Sequence, residues 1–244
     1  HRDLHSFPTR RSSDLIDQAD SPRQWGREIL RQLLAVTGRE QERLCGRAAA
    51  VKAAALGSLV YYRGLIEFSN VCAKDCYYCG IRHGNAEVER YMLTDAEVLA
   101  AARFALDHGY GSLVLQSGEQ QSPAFIARIT GLVNAIKKLS GNPLGITLSC
   151  GEQTREVYAQ WQAAGAHRYL LRIETSRPAL YQRLHPDDGR HRFDRRLECL
   201  RDLRALGYQA GTGVMIGLPG QSLDDLAGDL DRKSTRLNSS HVSQ

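Results

Sequence analysis

Gly64-Leu65-Ile66-Glu67-Phe68-Ser69-Asn70-Val71-Cys72-Ala73-Lys74-Asp75-Cys76-Tyr77-Tyr78-Cys79-Gly80-Ile81-Arg82 is the stretch from which the rest of the chain is read. Gly64–Phe68 is a short apolar run with strand character, and three cysteines follow it at C-x3-C-x2-C spacing. Three thiols within eight residues are too close together, and too odd in number, for a disulfide framework. Soft thiolate ligands gathered on one loop point to a metal. Iron–sulfur clusters are ordinarily held by four Cys thiolates. Three from the protein would leave one iron open to an external ligand, as catalytic zinc sites keep one position free. A closed Cys3His zinc site made of Cys72, Cys76, Cys79 and His83 is the rival reading, and it would make the loop a non-catalytic structural or interaction module.

The two ends of the 244-residue chain are set aside. Residues 1–15 (HRDLHSFPTRRSSDL) and the run DRKSTRLNSSH from Asp231 resemble translated sequencing adapters, so 1–15 and 231–244 are expected to be disordered artefacts. Residues 16–230 remain, with helices expected over 16–58 and a core over 59–230 that stops before its sheet is complete. The tails carry six basic and three acidic residues, so 32 against 27 becomes 26 against 24 and the net charge falls from +5 to +2. That balance gives no reason to expect a nucleic-acid partner. No apolar run approaches the length of a membrane span, and unpaired cysteines of this kind fit a reducing, cytoplasmic setting.

Strand and helix signals alternate. Ser21-Pro22 is expected to open a first helix that Gly38 stops, and an Ala-rich helix follows to Leu56. After the cysteine loop, Thr94 and Glu97 form a capping box, Ser112–Gln116 reads as the second strand, and Ser122-Pro123 starts the next helix. The third strand is expected at Gly145–Ser149, the fourth at Arg168–Ile173 and the fifth at Thr212–Ile216, with helices near 154–164 and 194–206 and another starting at Ser222. Five strands alternating with helices predict an α/β fold, a parallel sheet with right-handed crossovers and chemistry at the carboxyl ends of the strands.

Strand parity sorts the side chains. Tyr169, Leu171 and Ile173 share one face and suit helix packing, while Arg168, Leu170, Arg172 and Glu174 share the other. Charged residues facing inward suggest a polar cavity for a charged ligand, or else an ion pair satisfied within the strand end. Cys150, of opposite parity to Thr147 and Ser149, reads as a packed thiol, as do Cys45 and Cys199 on expected helices.

The run GLIEFSNVCAKDCYYCGIR resembles the first strand and cluster loop of the radical S-adenosylmethionine enzymes, with an aromatic at Tyr78, and the likeness extends over about 60–230. The resemblance implies a partial (βα)n barrel. It also implies a [4Fe-4S] cluster on Cys72, Cys76 and Cys79, S-adenosylmethionine on the open iron, and reductive cleavage to a 5′-deoxyadenosyl radical. Residue by residue it places Tyr78, Ser117, Gly118, Glu119, Glu174 and Arg196 at the cofactor, with Glu119 suited to the ammonium and Arg196 to the carboxylate. Ser117 departs from the glycine of the family's G-G-E turn. Gly217–Gln221 suits a backbone contact to adenine or a plain turn.

Within the family the runs YYRGLIEFSN, CYYCGIR, ERYMLT, LVLQSGEQ, AHRYLLRIET, RLECLRDLRALGY and GLPGQ are most similar to the branch that matures [FeFe]-hydrogenases. That similarity implies an amino-acid-derived or iron–cysteine substrate bound by Thr147, Arg168 and Arg172, an external electron donor, and other maturases as partners. Methylornithine synthase and biotin synthase types are the alternatives within the family.

Overall fold

In the computed structural model the chain is described at residue 16, at residues 25–141 and at residues 143–232. The expected opening at Ser21-Pro22 and nearly all of both adapter-like ends lie outside the described residues. The chain divides into two compact units. One comprises residues up to Val60, Thr175–Arg177 and residues from Met215 onward, and the other comprises Tyr61–Glu174 and Pro178–Val214.

The first unit contains α1 (Arg27–Leu34), α2 (Gly38–Leu56) and a C-terminal helix, Leu223–Arg232. Leu30 and Leu33 are the buried stripe of α1. Arg27 Nη2 donates to Asp224 Oδ2 at 2.5 Å, tying α1 to the C-terminal helix. That helix is capped reciprocally, Asp225 N donating to Ser222 Oγ at 3.1 Å and Ser222 N to Asp225 Oδ2 at 2.8 Å. It continues through Asp231 and Arg232, into the run expected to be artefact.

The second unit is built on β1 (Gly64–Ser69), α3 (Asp95–Asp107), β2 (Ser112–Ser117), α4 (Pro123–Leu139), β3 (Gly145–Ser149), α5 (Arg155–Ala163), β4 (Arg168–Leu170), α6 (Pro178–Arg183), α7 (Phe193–Ala205) and β5 (Gln209–Gly211). The C-terminal helix of the first unit is α8 in chain order. The strands form one parallel sheet in the order β1-β2-β3-β4-β5. Strand order without a reversal is the winding of a (βα) barrel, since a doubly wound sheet changes direction at a switch point. The arrangement is the partial barrel expected from the alternation of strand and helix signals.

Local chemistry sets the boundaries. The Thr94–Glu97 capping box forms, Thr94 N donating to Glu97 Oε2 at 2.7 Å and Glu97 N to Thr94 Oγ1 at 3.3 Å. Ser122 caps α4 with Pro123 in its first turn. Phe68, Leu113, Leu115, Ile146, Leu148 and Tyr169 are fully buried beneath Val98, Ile129, Trp161 and Leu203 of the helices. Leu171 and Ile173 join this core, which confirms the parity expected for the fourth strand. On the opposite face Leu65 is 58% exposed and Gln116 Nε2 donates to Glu67 Oε1 at 2.7 Å.

The end of the sheet differs from expectation. β4 stops at Leu170 instead of Ile173, and β5 lies at Gln209–Gly211, before the expected Thr212–Ile216. The cause is Thr212, whose hydroxyl takes the Ile173 N–H at 3.1 Å and interrupts the ladder. Contact resumes at one bridge, Glu174 to Val214, with Glu174 N donating to Gly213 O at 3.0 Å. The short helix α6 carried no recognisable sequence signal.

Candidate functional site

The loop from Val71 to Cys79 is fixed mainly by backbone contacts. Arg90 reaches across it, Nη1 donating to Asn70 O and Ile81 O at 2.8 Å each and Nη2 to Arg82 O at 2.6 Å. A planar guanidinium serves three carbonyls at once in a way no other side chain can. Gly118 closes the loop from the β2 side: a Cβ there would lie 2.4 Å from Val71 O and 2.7 Å from Cys72 Cβ, so only glycine permits this approach. Ala73 N then donates to Glu119 O at 2.8 Å. Cys72 Sγ accepts from two backbone amides, Lys74 N at 3.4 Å and Glu119 N at 3.3 Å.

All three loop cysteines are free thiols, Cys76 buried and Cys72 and Cys79 half-buried. Burial pushes the Cys76 thiol up to about 11 and raises Cys72 as well. Tyr78 sits beside them with its hydroxyl 3.4 Å from His185 Nε2 and its ring edge-on to that imidazole. Burial keeps the phenol protonated.

Behind the loop lies a network of buried charge. Lys74 Nζ is 3.3 Å from Glu119 Oε1 and 3.1 Å from Glu152 Oε2, and it also donates to Arg190 O. Glu119 Oε2 accepts from Glu152 N at 2.9 Å, and Arg196 Nε is 3.0 Å from Glu152 Oε1. All four residues are at most 7% exposed. Two carboxylates and two cations leave the network neutral, which is what makes such burial tolerable. Burial alone would favour the neutral amine of Lys74, but Glu119 and Glu152 outweigh it and hold its pKa above the ordinary value. Burial and the charge of Glu152 raise Glu119 against the pull of Lys74 and Arg196.

The segment after α6 braces the loop from the other side. Tyr77 N donates to Leu184 O at 3.0 Å, and Asp75 N donates to His191 Nε2 at 2.9 Å. The other nitrogen of that ring is 2.7 Å from Asp188 Oδ1, which fixes His191 as the Nδ1–H tautomer. His185 is stacked on Tyr181 with ring centroids 4.0 Å apart, and burial depresses it to about 4.

Glu174 stands apart. It is the one non-glycine with positive φ among the described residues, at 64°, and it is 6% exposed. Its Oε2 is buried without a hydrogen-bond partner, and burial raises its pKa against the opposing pull of Arg172 and Arg196. An unpaired buried carboxylate on a strained backbone is costly in isolation and marks a place built to meet a ligand. Thr147 Oγ1 is another of the buried atoms without a hydrogen-bond partner, midway along β3.

The expected residues therefore fall into groups. Cys72, Cys76, Cys79, Tyr78, Gly118, Glu119, Glu174 and Arg196 are gathered at the carboxyl end of the sheet. Ser117 ends β2 with its hydroxyl donating to Gly118 O at 2.8 Å. Two of these residues are already engaged. Arg196 is buried, its Nε 3.0 Å from Glu152 Oε1. The Glu119 carboxylate is not open, since Lys74 and Glu152 N already occupy its oxygens. Arg168 departs furthest: at the first position of β4 it donates from Nε to Gln209 Oε1 at 2.6 Å and lines a cavity of about 570 Å³ with Arg63, Lys137 and His167 at the amino end of the sheet. Arg172 shares the face of Glu174 and is exposed. Cys150 and Cys199 are packed thiols as expected, whereas Cys45 is exposed on α2. Gly217–Gln221 forms a turn in which Gly217 N and Leu218 N donate to Gln221 Oε1.

Sequence reasoning missed Lys74, Glu152, His185 and His191. Only Lys74 carried a signal, a cation between two cysteines. Among the described residues no three or more His, Cys, Asp or Glu side chains gather closely enough to ligate one ion. A Cys3His zinc site needs four donors within about 2.0–2.3 Å of one centre. His83 is exposed, with its backbone N donating to Lys74 O at 2.8 Å. Thiolates on separate irons of a cluster need no common centre, so the free thiols and the unpaired carboxylate fit the cluster-and-cofactor arrangement better.

Residues 66–232 match the Radical SAM superfamily. The chain is 44% identical over 210 residues to the [FeFe] hydrogenase maturase subunit HydE of Thermotoga maritima, covering 85% of this chain and 58% of that protein. Methylornithine synthase (PylB) superposes with a TM-score of 0.79 at 26% identity, over 92% of this chain and 64% of that one. HydG, a maturase of the [FeFe]-hydrogenase, superposes with a TM-score of 0.79 at 23% identity over 92% of this chain and 51% of that one, a likeness of fold. No helix among the described residues is long and apolar enough to cross a membrane.

Proposed function

Because the chain belongs to the radical SAM superfamily, a family that implies a [4Fe-4S] cluster and S-adenosylmethionine, we propose that its second unit holds both and that the protein acts in maturation of the [FeFe]-hydrogenase diiron centre. When bound, the pair supplies one-electron reductive cleavage of a carbon–sulfur bond, giving methionine and a 5′-deoxyadenosyl radical at the expense of an electron from an external donor.

The chain's own residues bind, orient and shield. Cys72, Cys76 and Cys79 offer three thiolates from one braced loop. Gly118 lets the end of β2 approach that loop, and Tyr78 covers it. The observation that carries the reading is Glu174, whose Oε2 is buried near Tyr78 of the loop and has no hydrogen-bond donor. An ammonium or ribose hydroxyl supplies one. Arg196 would offer its guanidinium charge to a carboxylate of the cofactor. Glu119 takes part through its backbone and its grip on Lys74 more than as an open acceptor. Thr147 and Arg172, on the face opposite the helices, suit the carboxylate of an amino-acid-derived substrate such as a cysteine-bound iron precursor. Arg168, in register with Thr147, is assigned with them although its side chain lines the cavity at the amino end of the sheet. Other maturases are the proposed partners.

The test is anaerobic. The reduced protein carrying its cluster, given S-adenosylmethionine, should form 5′-deoxyadenosine and methionine in equal amounts, and should restore hydrogenase activity to an extract lacking only this maturase. A fully loaded protein that cleaves no S-adenosylmethionine contradicts the first half of the reading. Cleavage without restoration contradicts the second and favours a methylornithine synthase-like reaction, in line with the 26% identical solved structure.

A further inference from the structure

The network behind the cysteine loop does more than fill space. Lys74 is the only one of its four charges that belongs to the loop, and the other three come from the ends of β2 and β3 and from α7. Its ammonium is anchored at 3.3 Å to Glu119 and 3.1 Å to Glu152. Its own backbone N–H and that of Glu119 are the two donors on Cys72 Sγ, at 3.4 and 3.3 Å. The side chains of Lys74 and Glu119 therefore grip each other while their amides point at one sulfur. Hydrogen bonds to a ligating sulfur and fixed charge beside it are among the levers that set a cluster's potential.

We propose that Lys74 is a positioning residue that holds both N–H donors on the Cys72 sulfur, and that the charge balance of Lys74, Glu119, Glu152 and Arg196 sets the reduction potential of the cluster bound there. The proposal rests on the cluster assignment made above. Reduction adds negative charge, so nearby cations and sulfur-directed N–H groups stabilise the reduced state and raise the potential. Lys74→Met leaves two buried carboxylates against one guanidinium and moves the potential to a more negative value. Glu152→Gln leaves two cations against one carboxylate and moves it the other way. In the double variant the charges balance again and most of the shift cancels.

The measurement is a redox titration of the reconstituted protein followed by electron paramagnetic resonance, without S-adenosylmethionine, on wild type, both single variants and the double. Opposite shifts that cancel in the double variant are the expected result. Shifts of the same sign, or none, overturn the charge claim. If Lys74→Met takes up no cluster, the direction of the Glu152→Gln shift decides alone. Hydrogen exchange on the cluster-free chain tests the positioning claim separately: Lys74→Met should speed exchange at the amides of residues 74 and 119, and unchanged rates there overturn it. A wild type that assembles no cluster defeats the functional reading above, and the exchange experiment still judges the positioning role.

Discussion

The ammonium of Lys74, between two cysteines of the loop after β1, lies 3.1 Å from the carboxylate of Glu152, which follows β3. Glu152 also faces Arg196 of α7, so one acidic side chain joins the loop, a strand end and a helix. Removing it leaves two buried cations sharing the single carboxylate of Glu119. Glu152→Ala is expected to cost about 3–5 kcal/mol, the usual penalty for stranding buried charge. Urea unfolding of the cluster-free chain measures this, and a loss under about 1 kcal/mol, ordinary for exposed pairs, would show that the network is solvated.

Gly118→Ala acts on the backbone. The added methyl meets Val71 O at 2.4 Å, and a carbonyl of the cysteine loop cannot yield without moving the loop. The variant should keep its helical circular dichroism and lose iron uptake on reconstitution. Normal iron content would show that the approach of β2 to the loop is not required.

In the proposed reading Glu174 trades stability for a ligand contact. Its carboxyl pKa is raised in the folded protein, so the native state holds its proton more tightly than the unfolded chain does. Stability therefore falls as pH rises from the ordinary carboxyl value toward the raised one. Glu174→Gln removes that loss, so the cofactor-free variant should be more stable than wild type at pH 7, while S-adenosylmethionine binds roughly tenfold to a hundredfold more weakly. Thermal denaturation with and without the cofactor reads both. A variant that is no more stable and binds normally removes Glu174 from the site.

His185 gives the opposite dependence. Burial depresses it to about 4 from 6.5, so between these values the unfolded chain binds the extra proton and stability drops as pH falls. Denaturant midpoints from pH 7 to 4 should show this decline, and His185→Gln should flatten it. An equal slope in the variant would assign the decline to other groups.

The loop, the parallel sheet and most helix boundaries were legible because each rests on local chemistry: thiol spacing, the Thr94–Glu97 box, the Ser122-Pro123 start, and alternation along β3 and β4. The rest depends on contacts distant in sequence. Nothing near Glu152 shows that a lysine 78 residues earlier will meet it. The reach of Thr212 into the Ile173 amide, which ends β4 early, is equally non-local. The turn of the Arg168 side chain toward Gln209 and the amino-end cavity was not legible, because parity fixes a face and not the direction a long side chain takes along it. The pairing of Glu119 with Lys74 was illegible for the same reason that Lys74 was missed, since a charge in a loop reads as solvated until its partners are known.

The central claim is that Cys72, Cys76 and Cys79 hold a cluster and the other cysteines do not. Iron and acid-labile sulfide, assayed per chain after anaerobic reconstitution, test it most directly. Wild type and the Cys45→Ala, Cys150→Ala and Cys199→Ala variants should contain about four of each. Cys72→Ala, Cys76→Ala and Cys79→Ala should contain little of either. One zinc per chain with no sulfide, or iron lost from Cys150→Ala and kept by Cys76→Ala, would contradict it.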